Sequence, residues 1–197
     1  MPTSNTPRPC SAGRRSQGGF TLIEVLIAVI VLSIGLLGVA SLQLTSKRGN
    51  FEAMQRAAAT MYAEDLVERM RTNPSVLGSY VTSTGLTLTA APGTPPDCTG
   101  GCTLPQLAEY DIAKWWDQLA GESEGGRGGL VTPTACLSNP VTNEYIVAIA
   151  WRGMDEISDV ATGTAQDCGR GSTYDLNGEL SFRRIITLRT YIDPKAG

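Results

Sequence analysis

The sequence predicts an α+β fold in which one long N-terminal helix packs on a C-terminal antiparallel sheet. Three observations support this prediction. An apolar run of membrane length begins at Phe20 and continues to about Leu44. A helical pattern then continues to Asn73-Pro74, and segments with strand-like alternation follow in the C-terminal third. We therefore expect the first half of the helix to span a membrane and the rest of the chain to form a head.

The apolar run contains one acidic residue, Glu24. The run Phe20–Leu44 exceeds the roughly 20 residues that cross a hydrocarbon layer about 30 Å thick. A carboxylate at bilayer depth costs about 2.5–3.5 kcal/mol even on lenient insertion scales, so Glu24 needs a partner and is a functional candidate. The alternative is a plain signal anchor, in which Glu24 lies near the interface by chance.

The residues before the run differ from an ordinary secretory signal. Residues 1–19 are polar, basic and rich in Pro, Ser and Gly, which predicts a disordered leader. A secretory signal has its apolar core before the cleavage point, whereas here the run follows the plausible cleavage point Gly19-Phe20. Arg14 and Arg15 favour a cytoplasmic leader and a head outside the cytoplasm, although Lys47-Arg48 at the other flank weaken this orientation.

Composition and charge exclude several classes of function. The chain has no histidine, which removes His-based zinc sites, Ser-His and Cys-His nucleophile pairs and His proton transfer. All acidic residues follow Gly19, and an acidic head argues against nucleic-acid binding.

The Gly-rich segment Glu122–Gly129 lacks the GK[ST] ending of a phosphate loop. The acidic set Asp155-Glu156 and Asp159 lacks a complete Ca²⁺ loop and indicates a solvated loop. We predict no enzyme and no cofactor.

Four cysteines lie in the head, at Cys98, Cys102, Cys136 and Cys168. An even number in a loop-rich exported domain predicts disulfides, and four cysteines allow three pairings. We favour Cys98–Cys102, which closes a short Cys-Thr-Gly-Gly-Cys loop, with Cys136–Cys168 as a long-range staple. The alternative, a four-thiolate zinc site, is disfavoured because the second pair lacks short CxxC spacing.

The segment Gly19-Phe20-Thr21-Leu22-Ile23-Glu24 resembles the class III signal of type IV pilins and type II secretion pseudopilins. The resemblance implies that a prepilin peptidase cuts after Gly19 and methylates the new Phe20 amine. It also implies that Glu24 is the fifth residue of the mature chain. N-methylation leaves the amine basic, so Glu24 could pair with the Phe20 α-ammonium of a neighbouring subunit. Removing one member of such a pair costs roughly 3–5 kcal/mol.

Two further segments, Leu32–Gln43 and Asp65–Pro74, resemble the PilV-like minor pilins, also called type IV pilus modification proteins. The resemblance implies a pilin-like fold and a place at the pilus tip. The implied partners are the prepilin peptidase, other minor pilins, the major pilin and the inner membrane, with no nucleic acid for the isolated head. The expected division is a cleaved leader at 1–19, a transmembrane or filament-core half-helix at 20–45 and a periplasmic head at 46–197. Alternatives are a type II secretion minor pseudopilin and a membrane-anchored surface-binding module.

Helical patterns in the head are clear in two places. The long helix is expected from Phe20 to about Thr72, with its second half lying on the sheet through a Met-rich stripe: Phe51, Met54, Ala58, Met61, Leu66 and Met70. A second helix is predicted from Thr103, its N-cap, to Ala120, with Gln106 completing a capping box. Its inward face comprises Leu104, Ala108, Ile112, Trp115 and Leu119, and Trp116 is expected at a partly exposed edge.

The strands are predicted from alternation and turn residues. Glu144–Arg152 and Leu180–Ile192 alternate regularly, Leu130–Leu137 is a third strand interrupted at Pro133, and a short strand is expected near Tyr80–Leu88. The connection Gly153–Glu179 is long for a hairpin, and Cys168 within it is expected to act as a staple.

Overall fold

The computed structural model describes residues 18–81, 85–122, 125, 128–157, 167–170, 174 and 182–195. The helices are α1 (Leu22–Thr72), α2 (Leu77–Tyr80) and α3 (Leu104–Ala120), and a 3₁₀ turn, Pro74–Val76, joins α1 to α2. The strands are β1 (Leu86–Leu88), β2 (Thr134–Val141), β3 (Glu144–Arg152) and β4 (Arg183–Tyr191). A long N-terminal helix followed by an antiparallel sheet confirms the α+β, pilin-like fold.

The chain forms two compact units, which divide between Ser46 and Lys47. Every described residue of the first unit is exposed to solvent, and its part of α1 is strongly apolar. Among the described residues, α1 is the one helix long and apolar enough to cross a membrane. The second unit contains the sheet, both shorter helices and the hydrophobic core.

The sheet has four antiparallel strands in the order β1-β2-β3-β4. Strand β3 has the predicted bounds, and its seven inner residues are buried on both faces of the sheet. Strand β2 begins at Thr134 rather than at the predicted Leu130, because Pro133 cannot donate a ladder hydrogen bond and lies outside the strand. The pairing of β2 with β3 is irregular between Ser138 and Val141.

The second half of α1 buries a different stripe from the predicted one. Leu66 and Met70 are buried as expected, but Met54 and Met61 are 60% and 68% exposed. The buried positions one and two turns before Leu66 are Ala63 and Ala59, whose small side chains let the helix approach the core closely. Met61 lies five residues from Leu66 and therefore points roughly 140° away around the helix. The prediction was wrong because it favoured large apolar residues over small ones.

Helix α3 has the predicted bounds and the predicted cap. The Thr103 backbone N–H donates to Gln106 Oε1 at 3.0 Å, and Gly121 ends the helix with a φ of 75°. Two burial predictions were wrong. Leu104 is 49% exposed because it is the first helical residue, at the edge of the core. Trp116 is 2% exposed because α3 buries a broad face that also includes Ile112 and Ala113.

The outer face of the sheet is covered by part of the long β3–β4 connection. Cys168 and Tyr174 are both buried, and the Tyr174 hydroxyl lies 2.7 Å from Thr134 Oγ1 and 3.3 Å from the Ala150 carbonyl oxygen. Burial raises the pKa of Tyr174. Within the described residues, β4 starts at Arg183, and the predicted start at Leu180 lies outside them, as does Asp159.

Candidate functional site

The N-terminal end of α1 brings the three predicted signal residues into one short segment. Gly19 and Phe20 lie outside the helix, and Phe20 is 83% exposed. The helix begins at Leu22, two residues later than predicted, because Thr21 acts as its start: the Glu24 backbone N–H lies 3.1 Å from the Thr21 carbonyl oxygen and 3.4 Å from Thr21 Oγ1. The Gly19–Phe20 peptide bond is therefore in an exposed, non-helical stretch just before a stable helix.

Glu24 lies in the first turn of α1 and is exposed. A negative charge near a helix N-terminus gains about 0.3–1 kcal/mol from the helix dipole. That gain is smaller than the cost of about 2.5–3.5 kcal/mol for a carboxylate at bilayer depth. Within the described part of the chain Glu24 has no ion-pair partner, and the helix dipole alone does not offset this cost.

The surface that follows Glu24 is apolar on every side. Large side chains from Leu22 to Leu44 are exposed by half or more, from 52% at Val25 to 80% at Leu22. Leaving such a side chain in water rather than burying it costs about 1.5–3 kcal/mol. Nothing packs within 4 Å of the positions where Gly35 and Gly38 would carry a side chain. This half of α1 therefore requires lipid or other apolar helices around it.

Two family models match the chain at this point. A prokaryotic N-terminal methylation motif matches residues 14–40, and a family described as type IV pilin Tt1218 matches residues 41–113. No curated protein and no solved structure matches the chain significantly. The chain is therefore similar to a type IV pilin over residues 41–113, and this segment follows a methylation motif of the kind that prepilins carry. This similarity implies processing by a prepilin peptidase, anchoring by the apolar helix and assembly with other pilins. The narrower resemblance to PilV-like proteins stays a prediction.

The pilin-like segment contains a polar network that the sequence did not reveal. Arg69 Nε lies 2.9 Å from Asp65 Oδ2, and Arg69 Nη1 lies 3.3 Å from Asp111 Oδ1. The Tyr80 hydroxyl donates to Asp111 Oδ2 at 2.6 Å and accepts from Asn73 Nδ2 at 3.1 Å. The network ties α1 and α2 to α3. It gives Asp65, Arg69 and Asn73, which lie in the segment resembling PilV-like proteins, a role in folding.

Burial and the hydrogen bond to Asp111 raise the pKa of Tyr80 well above its usual range. Tyr80 therefore stays protonated and donates its hydrogen bond throughout the neutral range. Sequence reasoning missed Tyr80 and Asp111 because they lie 31 residues apart and are joined only by the fold.

The four head cysteines form two disulfides, Cys98–Cys102 and Cys136–Cys168, with Cα–Cα distances of 5.0 and 5.7 Å. This is the pairing favoured from the sequence. Because all four sulfur atoms are in disulfides, the zinc alternative does not apply. The described residues also contain no group of three or more His, Cys, Asp or Glu side chains placed to hold a metal ion.

Proposed function

We propose that the chain is a minor pilin of a type IV pilus. The observation that carries the proposal is the exposed Gly19–Phe20 bond, followed closely by Glu24 and then by an apolar stretch of α1, up to Leu44, in which no residue is buried. Prepilin peptidase cuts after Gly19 and methylates the Phe20 amine. The leader at 1–19 is lost, residues 20–45 anchor the subunit in the inner membrane, and the head at 46–197 lies in the periplasm.

Glu24 pairs, in this proposal, with the N-methylated α-ammonium of Phe20 on an adjacent subunit. An α-amino group has an ordinary pKa of about 7.7–8.0, so it is largely protonated at neutral pH. In the apolar surroundings of packed helices, a charge without its partner costs roughly 3–5 kcal/mol. The pair therefore selects the subunit register in which both charges are compensated.

The subunit joins other minor pilins and the major pilin in a tip complex that primes assembly. Support for a minor rather than a major subunit comes from the resemblance of Leu32–Gln43 and Asp65–Pro74 to PilV-like proteins. The completed pilus would serve motility, adhesion or DNA uptake. The methylation motif fits a type II secretion pseudopilin equally well, and deletion of the gene separates the two because only one filament is lost.

Processing is tested by measuring the N-terminal mass of the membrane-extracted protein from cells with an active peptidase. We expect a chain that starts at methylated Phe20. Gly19→Val places a β-branched side chain at the cut and is expected to leave the full leader in place. A wild-type protein that retains Met1, or that is cut elsewhere, contradicts the proposal.

Pairing is tested with Glu24→Ala, and Glu64→Ala serves as the matched control because Glu64 is an exposed glutamate farther along the same helix. We expect both variants to insert into the membrane. Incorporation into sheared pili is expected to fall by a factor of 100 or more for Glu24→Ala, which corresponds to roughly 3 kcal/mol, and to stay unchanged for Glu64→Ala. Normal incorporation of Glu24→Ala would remove the pairing from the proposal.

A further inference from the structure

A pocket of about 210 Å³ lies in the head between β1 and α3. Its described lining comes from α2, β1, the loop 92–96 and α3. Leu88, Ile112 and Ala113 are buried and form its floor. Glu109 lies at the exposed rim and is the one charged residue among the described residues that line the pocket. The pocket therefore combines an apolar floor with a negative rim.

The volume of the pocket indicates the size of the group that it can hold. Sites for cofactors and drug-sized ligands usually measure about 300–1,000 Å³, which is more than this pocket provides. An engineered apolar cavity of about 150 Å³ holds one benzene molecule. A pocket of about 210 Å³ therefore fits one apolar side chain, such as that of phenylalanine or leucine, and not a whole cofactor.

The charge of Glu109 is not compensated by the described part of the chain. Side chains three and four positions away on a helix are its neighbours, and the residues at those positions around Glu109 carry no charge. The nearest cation along α3 is Lys114, whose Nζ atom is paired with Asp117 Oδ2 at 3.3 Å. Glu109 therefore offers a carboxylate at the rim that can bind a cation from another molecule.

The loop 92–96 has restricted backbone freedom and is followed by a second acidic residue. Proline fixes its own φ angle, and the loop contains Pro92, Pro95 and Pro96. Asp97 follows directly, and its Oδ1 atom accepts hydrogen bonds from the Thr99 backbone N–H at 3.0 Å and the Thr99 hydroxyl at 2.8 Å. These hydrogen bonds lower the pKa of Asp97, so its carboxylate is ionised at neutral pH. A restricted loop also loses less conformational freedom when a partner binds.

We propose that the pocket receives one apolar side chain, flanked in its own chain by Lys or Arg, from a neighbouring pilin subunit. The inference rests on the assembly with other pilins in the proposed function. Leu88, Ile112 and Ala113 bury the apolar side chain, and Glu109 binds the cation beside it. A partner with an acidic residue at that position is repelled, so the rim charge selects the partner. Pockets that hold a single anchor side chain lie within larger protein interfaces, and the rest of the subunit surface supplies the remaining contact.

The first test titrates the full-length protein, methyl-labelled and held in mild detergent, with three short peptides. The peptides are acetyl-Gly-Phe-Lys-amide, acetyl-Gly-Phe-Glu-amide and acetyl-Gly-Gly-Lys-amide. NMR follows the methyl groups of Leu88 and Ile112 in the pocket. The methyl groups of Val141 report non-specific binding, because Val141 is 60% exposed and lies in β2, outside the lining of the pocket. We expect the Phe-Lys peptide to shift Leu88 and Ile112 but not Val141, and the peptide without Phe to shift none of them.

Charge reversal tests the role of the rim. Glu109→Lys is compared with Glu64→Lys, the matched control, because Glu64 is an exposed glutamate on α1. The wild type and Glu64→Lys should bind the Phe-Lys peptide about threefold or more tightly than the Phe-Glu peptide, and Glu109→Lys should reverse this order. A damaged pocket would weaken both peptides, so reversal cannot come from misfolding. Absence of shifts at Leu88 and Ile112, equal shifts at Val141, or a preference unchanged by Glu109→Lys overturns the inference.

The second test identifies the occupant in piliated cells. The photocrosslinker p-benzoylphenylalanine is placed at Ser79, an exposed residue that lines the pocket. We expect a crosslink to another pilin, identified by mass spectrometry, whose yield falls in the Glu109→Lys background. A crosslink only to a protein that is not a pilin, or none at all, overturns the inference. The N-terminal mass separates this result from the proposed function. A chain that is cut after Gly19 but shows no peptide preference loses only the pocket contact, whereas a chain that keeps its leader contradicts the proposed function whatever the peptides do.

Discussion

The Cys136–Cys168 disulfide is predicted to contribute about twice as much stability as Cys98–Cys102. The perturbation is the paired replacement of each bridge by alanine, Cys136→Ala/Cys168→Ala against Cys98→Ala/Cys102→Ala. The two double variants are chemically matched, since each removes two sulfur atoms and one bridge. They differ in the length of chain that the bridge closes and in burial.

The size of each effect follows from the loop that is closed. The two bridges join residues 32 and 4 positions apart. If a disulfide acts by restricting the unfolded chain, these separations correspond to about 3.7 and about 1.9 kcal/mol at 25 °C. Burial should also make the loss of stability larger for the Cys136–Cys168 bridge, because Cys168 is 3% exposed whereas Cys98 and Cys102 are half-buried.

The Cys136–Cys168 bridge also attaches part of the β3–β4 connection to the outer face of the sheet. The Cys168 carbonyl oxygen accepts a hydrogen bond from the buried Arg183 at 2.7 Å, and Gly169 lies against the Tyr174 ring. Together these residues cover the outer face of β3, where Ala148 and Ala150 are buried. Loss of the bridge weakens this packing. The measured loss of stability should therefore be at least as large as the value calculated from the length of the closed loop.

The assay is urea unfolding of the processed full-length protein in mild detergent, followed by near-ultraviolet circular dichroism. We expect the free energy of unfolding to fall by about 3–4 kcal/mol for Cys136→Ala/Cys168→Ala and by about 2 kcal/mol for Cys98→Ala/Cys102→Ala. Equal losses, or a larger loss for the short bridge, would refute the reasoning from loop length and burial.

The other predictions concern single side chains in the head. Tyr80→Phe removes the 2.6 Å hydrogen bond to Asp111 and should lower the free energy of urea unfolding by about 1–3 kcal/mol. Because the pKa of Tyr80 is raised in the folded state, its contribution to the free energy of unfolding is complete below about pH 10 and falls as the pH rises further. Tyr80→Phe should therefore make the stability decline less steeply with pH above about pH 10. An unchanged decline would contradict the assignment. Met70→Ala should cost about 2–5 kcal/mol in the same assay because Met70 is fully buried, whereas Met61→Ala should change stability by less than about 0.5 kcal/mol; similar losses would contradict the observed burial.

Local sequence signals predicted the elements whose ends have their own chemistry. Helix α3 was predicted with correct bounds because Thr103 and Gln106 form a capping box and Gly121 supplies the left-handed end. Strand β3 was predicted with correct bounds because its alternation stops at charged residues on both sides, Glu144 and Arg152. The 3₁₀ turn and the short helix α2 were missed because Asn73-Pro74 was interpreted only as the end of α1, although Pro74 also begins the 3₁₀ turn.

Burial was predicted less well than secondary structure. Trp116 was expected at an edge because neighbouring residues on a helix point in different directions. That reasoning holds only for a helix that buries a narrow face, whereas α3 buries both Trp115 and Trp116. The Gln55 amide is a similar case: it is buried, accepts from the Val131 N–H at 3.2 Å and donates to the Gly129 carbonyl at 3.3 Å. Glutamine is a polar residue that is usually exposed, so the sequence does not indicate that Gln55 makes a buried contact.

The two halves of α1 show why the N-terminal signal was readable and the head contacts were not. In the first half, large apolar side chains lie on every side of the helix and Glu24 is the one charged residue, so composition alone requires an apolar environment and the carboxylate is conspicuous. In the second half, the environment is one side of a folded domain, and the buried face is chosen by shape. Ala59 and Ala63 are buried there while Met54 and Met61 remain exposed. Hydrophobicity ranks these four residues in the opposite order, since methionine offers more apolar area than alanine to bury. The close approach that alanine permits brings Leu66 and Met70 into the core. The stability gained by burying them depends on core residues far along the chain. The anchoring half of a chain like this one can therefore be interpreted from its own composition, whereas the head requires the structure.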